Sequence, residues 1–218
     1  MSDERIDALF AAVKTGDETA TLSIVDSDPA LIDSYSAGVS PIRAAIYAGN
    51  RDLAQKIADR SAMLTLHDAA ALGRANQIKH VEGEVNAFSE DGFTPLTLAA
   101  AFGNSETVAA LILMGADLHL FSTNPNIKVA PIHAAAFGMN TGAIETLVAS
   151  GADVDLRSEG GFTALHSASQ NGDTASVSVL LGSGADKGLR SEEGKTAADY
   201  AREQGHDELA AMLEIGAP

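Results

Sequence analysis

The sequence predicts an all-α solenoid: stacked helix-turn-helix units joined by short β-turn fingers. Three observations carry this. The stretch GFTPLTLAAAFGN, beginning at Gly92, returns as GFTALHSASQNG at Gly161, and such recurrence is the mark of a repeat architecture. Apolar residues make up 45% of the 218-residue chain and aromatics only 5%, a composition suited to closely packed helices. Within SETVAALILMG, Val108, Leu111 and Ile112 fall at i, i+3 and i+4, the spacing of one helical face.

The best-formed unit explains the others. Thr94-Pro95 reads as a helix start, with a hydroxyl N-cap and a proline at the first helical position, where the missing N–H is harmless. LTLAAAF is a short first helix, in which Ala99 and Ala100 allow a neighbouring unit to approach. Gly103 is expected to end it in the left-handed conformation that suits glycine. SETVAALILMG is the second helix, and Gly115 ends it. A unit of this size cannot bury its own apolar face, so stacking must supply the core.

The last residues of the recurring tetrads are Arg43, His67, Thr97, His133, His166 and Asp199, at intervals of 24, 30, 36, 33 and 33 residues. Small pairs follow them: Ala69-Ala70, Ala99-Ala100, Ala135-Ala136 and Ala168-Ser169. Sixteen residues beyond the first member of the last three pairs, Gly115, Gly151 and Gly184 each open a Gly-Ala-Asp triplet. The period near 33, TPLT, APIH and TALH, and the three GAD triplets resemble the ankyrin repeat family. The resemblance is strongest from Leu64 to the C-terminus and weaker, though in register, from Asp3 to Met63. It gives seven helix pairs: 3–37, 38–61, 62–90, 91–129, 130–159, 160–192 and 193–218. The expectation is a single ankyrin repeat domain over residues 1–218, with degenerate repeats at 3–63, clear repeats at 64–192 and a C-terminal cap at 193–218.

Three departures from the pattern stand out. The second pair is short, and RDLAQKIADRSAM leaves little room for a finger before the next unit; its neighbour, ANQIKHVEGEVN, has a trimmed second helix. An altered curvature of the N-terminal third is expected. The segment Leu120–Val129 makes a finger three residues longer than its counterpart, since Asp117 to Pro131 is 14 residues and Asp153 to Ala164 is 11. Asn124-Pro125-Asn126 is its expected turn. Met139 occupies the slot held elsewhere by Gly49, Gly73, Gly103, Gly172 and Gly205. Methionine is unfavourable at positive φ, so a backbone change around Gly138–Thr141 is expected.

The composition bounds the chemistry. With no cysteine, disulfides, thiolate metal sites and a cysteine nucleophile are excluded. Thirty acids against fourteen bases give a net charge of −16, which repels nucleic acid and anionic membranes. No apolar run reaches the roughly 20 residues that span a bilayer. The opening MSDERIDALFAAVK places acids before its apolar residues, unlike a secretory leader, so a soluble cytoplasmic protein is expected. No sequence pattern of a serine hydrolase, zinc protease, nucleotide-binding loop or calcium loop occurs. GSGADKG (Gly182–Gly188) falls on a helix end and reads as a cap. Glu159, Glu192 and Glu193 lie on wet turns, without the burial that acid–base work needs.

The resemblance implies that His67, His133 and His166 hold the tetrad turn by hydrogen bonds. Thr163 pairs with His166, whereas Ala130 and Leu64 oblige His133 and His67 to find other partners. Metal ligation is disfavoured, because stacked equivalents lie about 8–10 Å apart and zinc ligands about 2 Å from their ion. His80, His119 and His206 are expected at the surface. No catalysis, cofactor or metal is expected.

The resemblance further implies that a partner binds finger tips and the concave face of the first helices. Finger positions two beyond Asn86 and its equivalents are Phe88, Phe121, Arg157 and Arg190, and aromatics and arginine are typical of interface cores. Tyr47, Leu72, Phe102 and Phe137 fall on the concave face, while the last full repeat offers Gln170 and Asn171. An apolar groove rimmed by acids suits another protein with a basic amphipathic or extended segment. The expected function is a non-enzymatic protein–protein interaction module. Nucleic acid and membrane are not expected as partners. A monomer is expected, with a homodimer as the alternative. A self-associating or purely structural protein is the second reading of function, and a metal-dependent enzyme the least favoured.

Overall fold

A computed structural model describes residues 2–78 and 84–215. Its fourteen helices among the described residues form seven antiparallel pairs: α1 (Ser2–Thr15) with α2 (Glu18–Ser27), α3 (Pro41–Tyr47) with α4 (Arg51–Ala58), α5 (Leu66–Leu72) with α6 (Ala75–Ile78), α7 (Pro95–Phe102) with α8 (Ser105–Leu113), α9 (Pro131–Phe137) with α10 (Thr141–Ala149), α11 (Ala164–Gln170) with α12 (Thr174–Gly182), and α13 (Ala197–Glu203) with α14 (Asp207–Glu214). The first helices stack on one another from α1 to α13, and the second helices form an outer layer against them. Ala69, Ala70, Ala99, Ala100, Ala135, Ala136 and Ala168 are wholly buried between successive first helices. Their small size is what permits the close stacking.

The helix starts follow the sequence logic. The Oγ atoms of Ser40, Thr65 and Thr94 each accept the N–H three residues on. Thr196 and Asp199 bond reciprocally, and each such cap stabilises its helix by about 1 kcal/mol. These caps also correct the tetrad alignment. The third helical position after Thr65 is Asp68, not His67, so Asp68 is the true counterpart of Arg43, Thr97, His133, His166 and Asp199.

The fingers begin at serines. Ser89, Ser158 and Ser191 donate their N–H to the carbonyls of Phe93, Phe162 and Lys195, closing tight turns. In the long finger Ser122 reaches Val129 instead, at 2.9 Å. The extra residues lie between those two. The Asn124 side chain shapes their turn by accepting from the N–H groups of Asn126 and Ile127. Only six residues separate α4 from the cap of α5, and no finger forms there.

Two expectations about helix ends are overturned. Gly49, Gly73, Gly172 and Gly205 have left-handed φ, but Gly103 does not, having φ −80°. It is glycine for lack of space: a Cβ there would lie 2.7 Å from the Ala99 carbonyl oxygen and 2.8 Å from that of Ala70. Met139, conversely, sits in the ordinary left-handed cap with φ 52°. Its N–H bonds Ala136 and that of Asn140 bonds Ala135, as at a regular helix end. The reason lies one residue earlier. A Cβ on Gly138 would approach the Ala101 carbonyl oxygen to 2.2 Å, so the repeat spends its glycine on stacking and leaves the cap to methionine.

Candidate functional site

The sequence places aromatic residues at the ends of the first helices, where the stack cannot cover them. Tyr47 ends α3, Phe102 ends α7 and Phe137 ends α9. Phe137 is 71% exposed and Tyr47 40%, while Phe102 is half-buried. The Tyr47 and Phe102 rings lie with centroids 5.5 Å apart. Together with Phe93, Phe162, Leu98 and Ala101 they line a groove of about 570 Å³. The long finger forms one wall through Ile127, Lys128 and Val129, and Ile127 is itself 50% exposed. Ser158 and Glu159 border the groove at the next finger.

A buried polar network fixes the Tyr47 end. Arg43 is 1% exposed. Its Nε donates to Asp68 Oδ1 at 3.2 Å, and Nη1 pairs with Asp91 in the next finger. Ser40 and Thr65 hydroxyls donate to the two Asp68 oxygens at 2.6 and 2.7 Å. Tyr47 donates its hydroxyl to Asp91 Oδ2 at 2.8 Å. Burial, and then the Asp91 charge, raise the Tyr47 pKa, so the phenol keeps its proton and its aim. The Asn124 side chain donates to the Asp91 carbonyl, which ties the long finger to the same network.

His133 and His166, in the tetrad, and His67, one residue before it, act as structural groups that hold backbone carbonyls. Nε2 of His67, His133 and His166 meets the carbonyl oxygens of Ala87, Leu156 and Lys195 at 3.0, 2.9 and 3.3 Å. Nδ1 of His133 and His166 accepts the N–H of Ala130 and Thr163, which assigns the proton to Nε2. Burial lowers all three pKa values. His119 is exposed, but its Nε2 accepts the N–H of Asp153 and bridges two repeats. His206 is half-buried, with its ring over Gly172, which corrects its surface placement. His80 lies outside the described residues. Among the described residues no three His, Asp or Glu side chains are placed to hold a metal ion.

The eight residues expected to meet a partner divide. Tyr47, Phe102 and Phe137 share the groove. Leu72 does not: it is 2% exposed and packs in the core. Counted from Asp68 it stands at the same helical position as Tyr47 and Phe137, so its burial is a matter of packing in its own repeat and not of register. Phe88 is exposed at its finger, whereas Phe121 is half-buried and turns back over His133, with ring centroids 6.0 Å apart. Arg157 and Arg190 are exposed but folded onto the carbonyls of Arg190 and Gly194. Sequence reasoning missed Phe93, Phe162 and Ile127. The first two were legible as the recurring Phe of GFT, read there as architecture; Ile127 is on the insertion, for which no register existed.

A family-wide description of ankyrin repeats in three copies matches residues 66–158 and again 131–217, well over half of the chain. The chain belongs to the ankyrin repeat family. Ankyrin repeats are generally protein–protein interaction modules. Among curated proteins, this ankyrin chain is 34% identical over 122 residues to the human DNA-binding protein RFXANK, covering 49% of this chain and 46% of that one. It is 32% identical over 133 residues to the probable E3 ubiquitin-protein ligase XBOS31 of Oryza sativa subsp. japonica, covering 60% of this chain and 25% of that one. The chain thus spans less than half the length of both relatives. No helix among the described residues is long and apolar enough to cross a membrane.

Proposed function

We propose that this ankyrin protein is a non-enzymatic interaction module that holds a partner protein in the groove between its concave face and its fingers. The observation that carries the reading is Phe137, an aromatic side chain 71% exposed at the mouth of an apolar groove. Solvent-exposed aromatics clustered in a concavity are characteristic of binding surfaces. The groove volume lies within the range of sites that accept side chains or small ligands. Its wall is the one finger that departs from the repeat, and insertions in solenoids tend to lie on the binding face.

RFXANK bears the name of a DNA-binding protein. For this chain, thirty acids against fourteen bases favour a protein over phosphate groups as the partner. XBOS31 is named as a probable ligase, but the match takes in only a quarter of it, and the ankyrin portion alone is read here as a recognition element. Capture from native extract by wild type and by a Phe102→Glu, Phe137→Glu double variant tests the proposal, after circular dichroism shows equal folding. The expected result is a specific protein held by wild type and lost by the variant. Retention of that protein by the folded variant would move the binding surface elsewhere.

A further inference from the structure

Three finger tips carry glutamate at the same place, four residues before the helix cap: Glu90 before Thr94, Glu159 before Thr163 and Glu192 before Thr196. The long finger interrupts the series with Asn126 at that place and Lys128 at the groove wall. Glu90, Lys128, Glu159 and Glu192 are all exposed, and none forms an ion pair among the described residues. The nearby Arg157 and Arg190 form no ion pair with the row: both donate to backbone carbonyls, and Arg190 also faces Asp199. The row of fingers therefore presents acid, base, acid, acid in succession, with Lys128 and Glu159 bordering the groove and Glu90 and Glu192 continuing the row on either side of it.

We infer that the groove takes an extended segment of another protein whose charges mirror this order. A basic residue faces Glu90, an acidic one Lys128, and basic ones Glu159 and Glu192, at intervals of three residues. A bulky apolar side chain between the positions facing Lys128 and Glu159 enters the groove beside Phe137. The interval follows from the repeat pitch. Stacked helices lie about 8–10 Å apart, and an extended chain with three residues per turn and about 3.1 Å rise returns every third side chain to one face after about 9 Å. A helical partner, at about 1.5 Å per residue, would need six or seven residues for the same step. The apolar groove supplies the anchor and the unpaired charges supply the register, which is how charge complementarity contributes to specificity.

This inference rests on the groove being the partner surface, and the test separates the two. A displayed library of random 16-residue peptides is selected at low salt on immobilised protein, and the enriched sequences are aligned. The expected consensus has an acidic residue and a Lys or Arg three residues apart on either side of one bulky apolar residue, with a second Lys or Arg three residues beyond the first. Glu159→Lys should weaken selected peptides about two- to five-fold and select an acidic residue at that one position. Neutral or uniformly acidic sequences that still lose binding to Phe137→Glu would overturn the charge register and leave the groove intact. A spacing of six or seven residues between the acidic residue and the basic residue that flank the apolar one would overturn the extended form. Enriched peptides indifferent to Phe137→Glu would overturn both readings, and no enrichment at all would overturn this one.

Discussion

Arg43 Nε lies 3.2 Å from the Asp68 carboxylate, joining the first helices of two successive repeats through side chains that are both almost wholly buried. The same guanidinium reaches Asp91 in the following finger. One cation thus holds two carboxylates away from water. Removing one partner of a buried pair leaves the other charge uncompensated and costs about 3–5 kcal/mol. Arg43→Met should therefore lower the urea midpoint sharply. Tyr47→Phe removes one hydrogen bond to Asp91 and should cost about 1 kcal/mol.

Gly138 and Met139 should respond in opposite directions. Gly138→Ala drives a Cβ into the Ala101 carbonyl, and an overpacked site of this kind costs about 1–3 kcal/mol. Met139→Gly relieves a left-handed methionine at φ 52°. Against the entropy glycine gives up, the net gain should be about 0.5–1 kcal/mol. Chemical denaturation of the two variants beside wild type measures both. A destabilised Met139→Gly would mean that the methionine side chain contributes contacts that outweigh its backbone strain.

Acid should weaken the fold before most carboxylates titrate. His133 and His166 are buried and His67 half-buried, and desolvation holds all three pKa values below the ordinary 6.5. Below pH 6.5 the unfolded chain binds protons at these sites that the folded chain does not. Their contribution is therefore fully present above pH 6.5 and is lost as pH falls from there toward the folded values. The depressed carboxyl of Asp199 acts in a lower window, below its ordinary 3.8. The unfolding midpoint should fall between pH 7.5 and 5, and less so in a folded His133→Gln variant.

Leu72 and Phe137 offer a test of surface against core. Leu72→Glu buries an unpaired carboxylate at a position 2% exposed and should unfold the N-terminal repeats. Phe137→Glu changes a side chain already in water and should leave the midpoint within about 0.5 kcal/mol. Thermal melts followed by circular dichroism distinguish them.

The helices and their order were legible because the recurring letters are local devices. A Ser or Thr cap, a proline at the first helical position and an alanine pair each act within a few residues. The exceptions depend on neighbours. Asp68 was hidden because its unit lacks one residue; the Thr65-x-x-Asp68 cap spacing was the available signal, and the histidine beside it drew the alignment instead. Gly103 and Gly138 owe their identity to carbonyls of the preceding repeat, which no single repeat reveals. Tyr47, Phe102 and Phe137 were readable as concave positions. That Ile127 completes their groove depends on how the inserted finger folds back, which the insertion length alone does not specify.

The most direct measurement is amide hydrogen–deuterium exchange of the protein with and without its captured partner. The account predicts slowed exchange at the end of α9, around Phe137, and in the long finger at residues 126–129, with α8 and α10 unchanged on the outer layer. Protection confined to α8 and α10, with the groove exchanging as in the free protein, would contradict it.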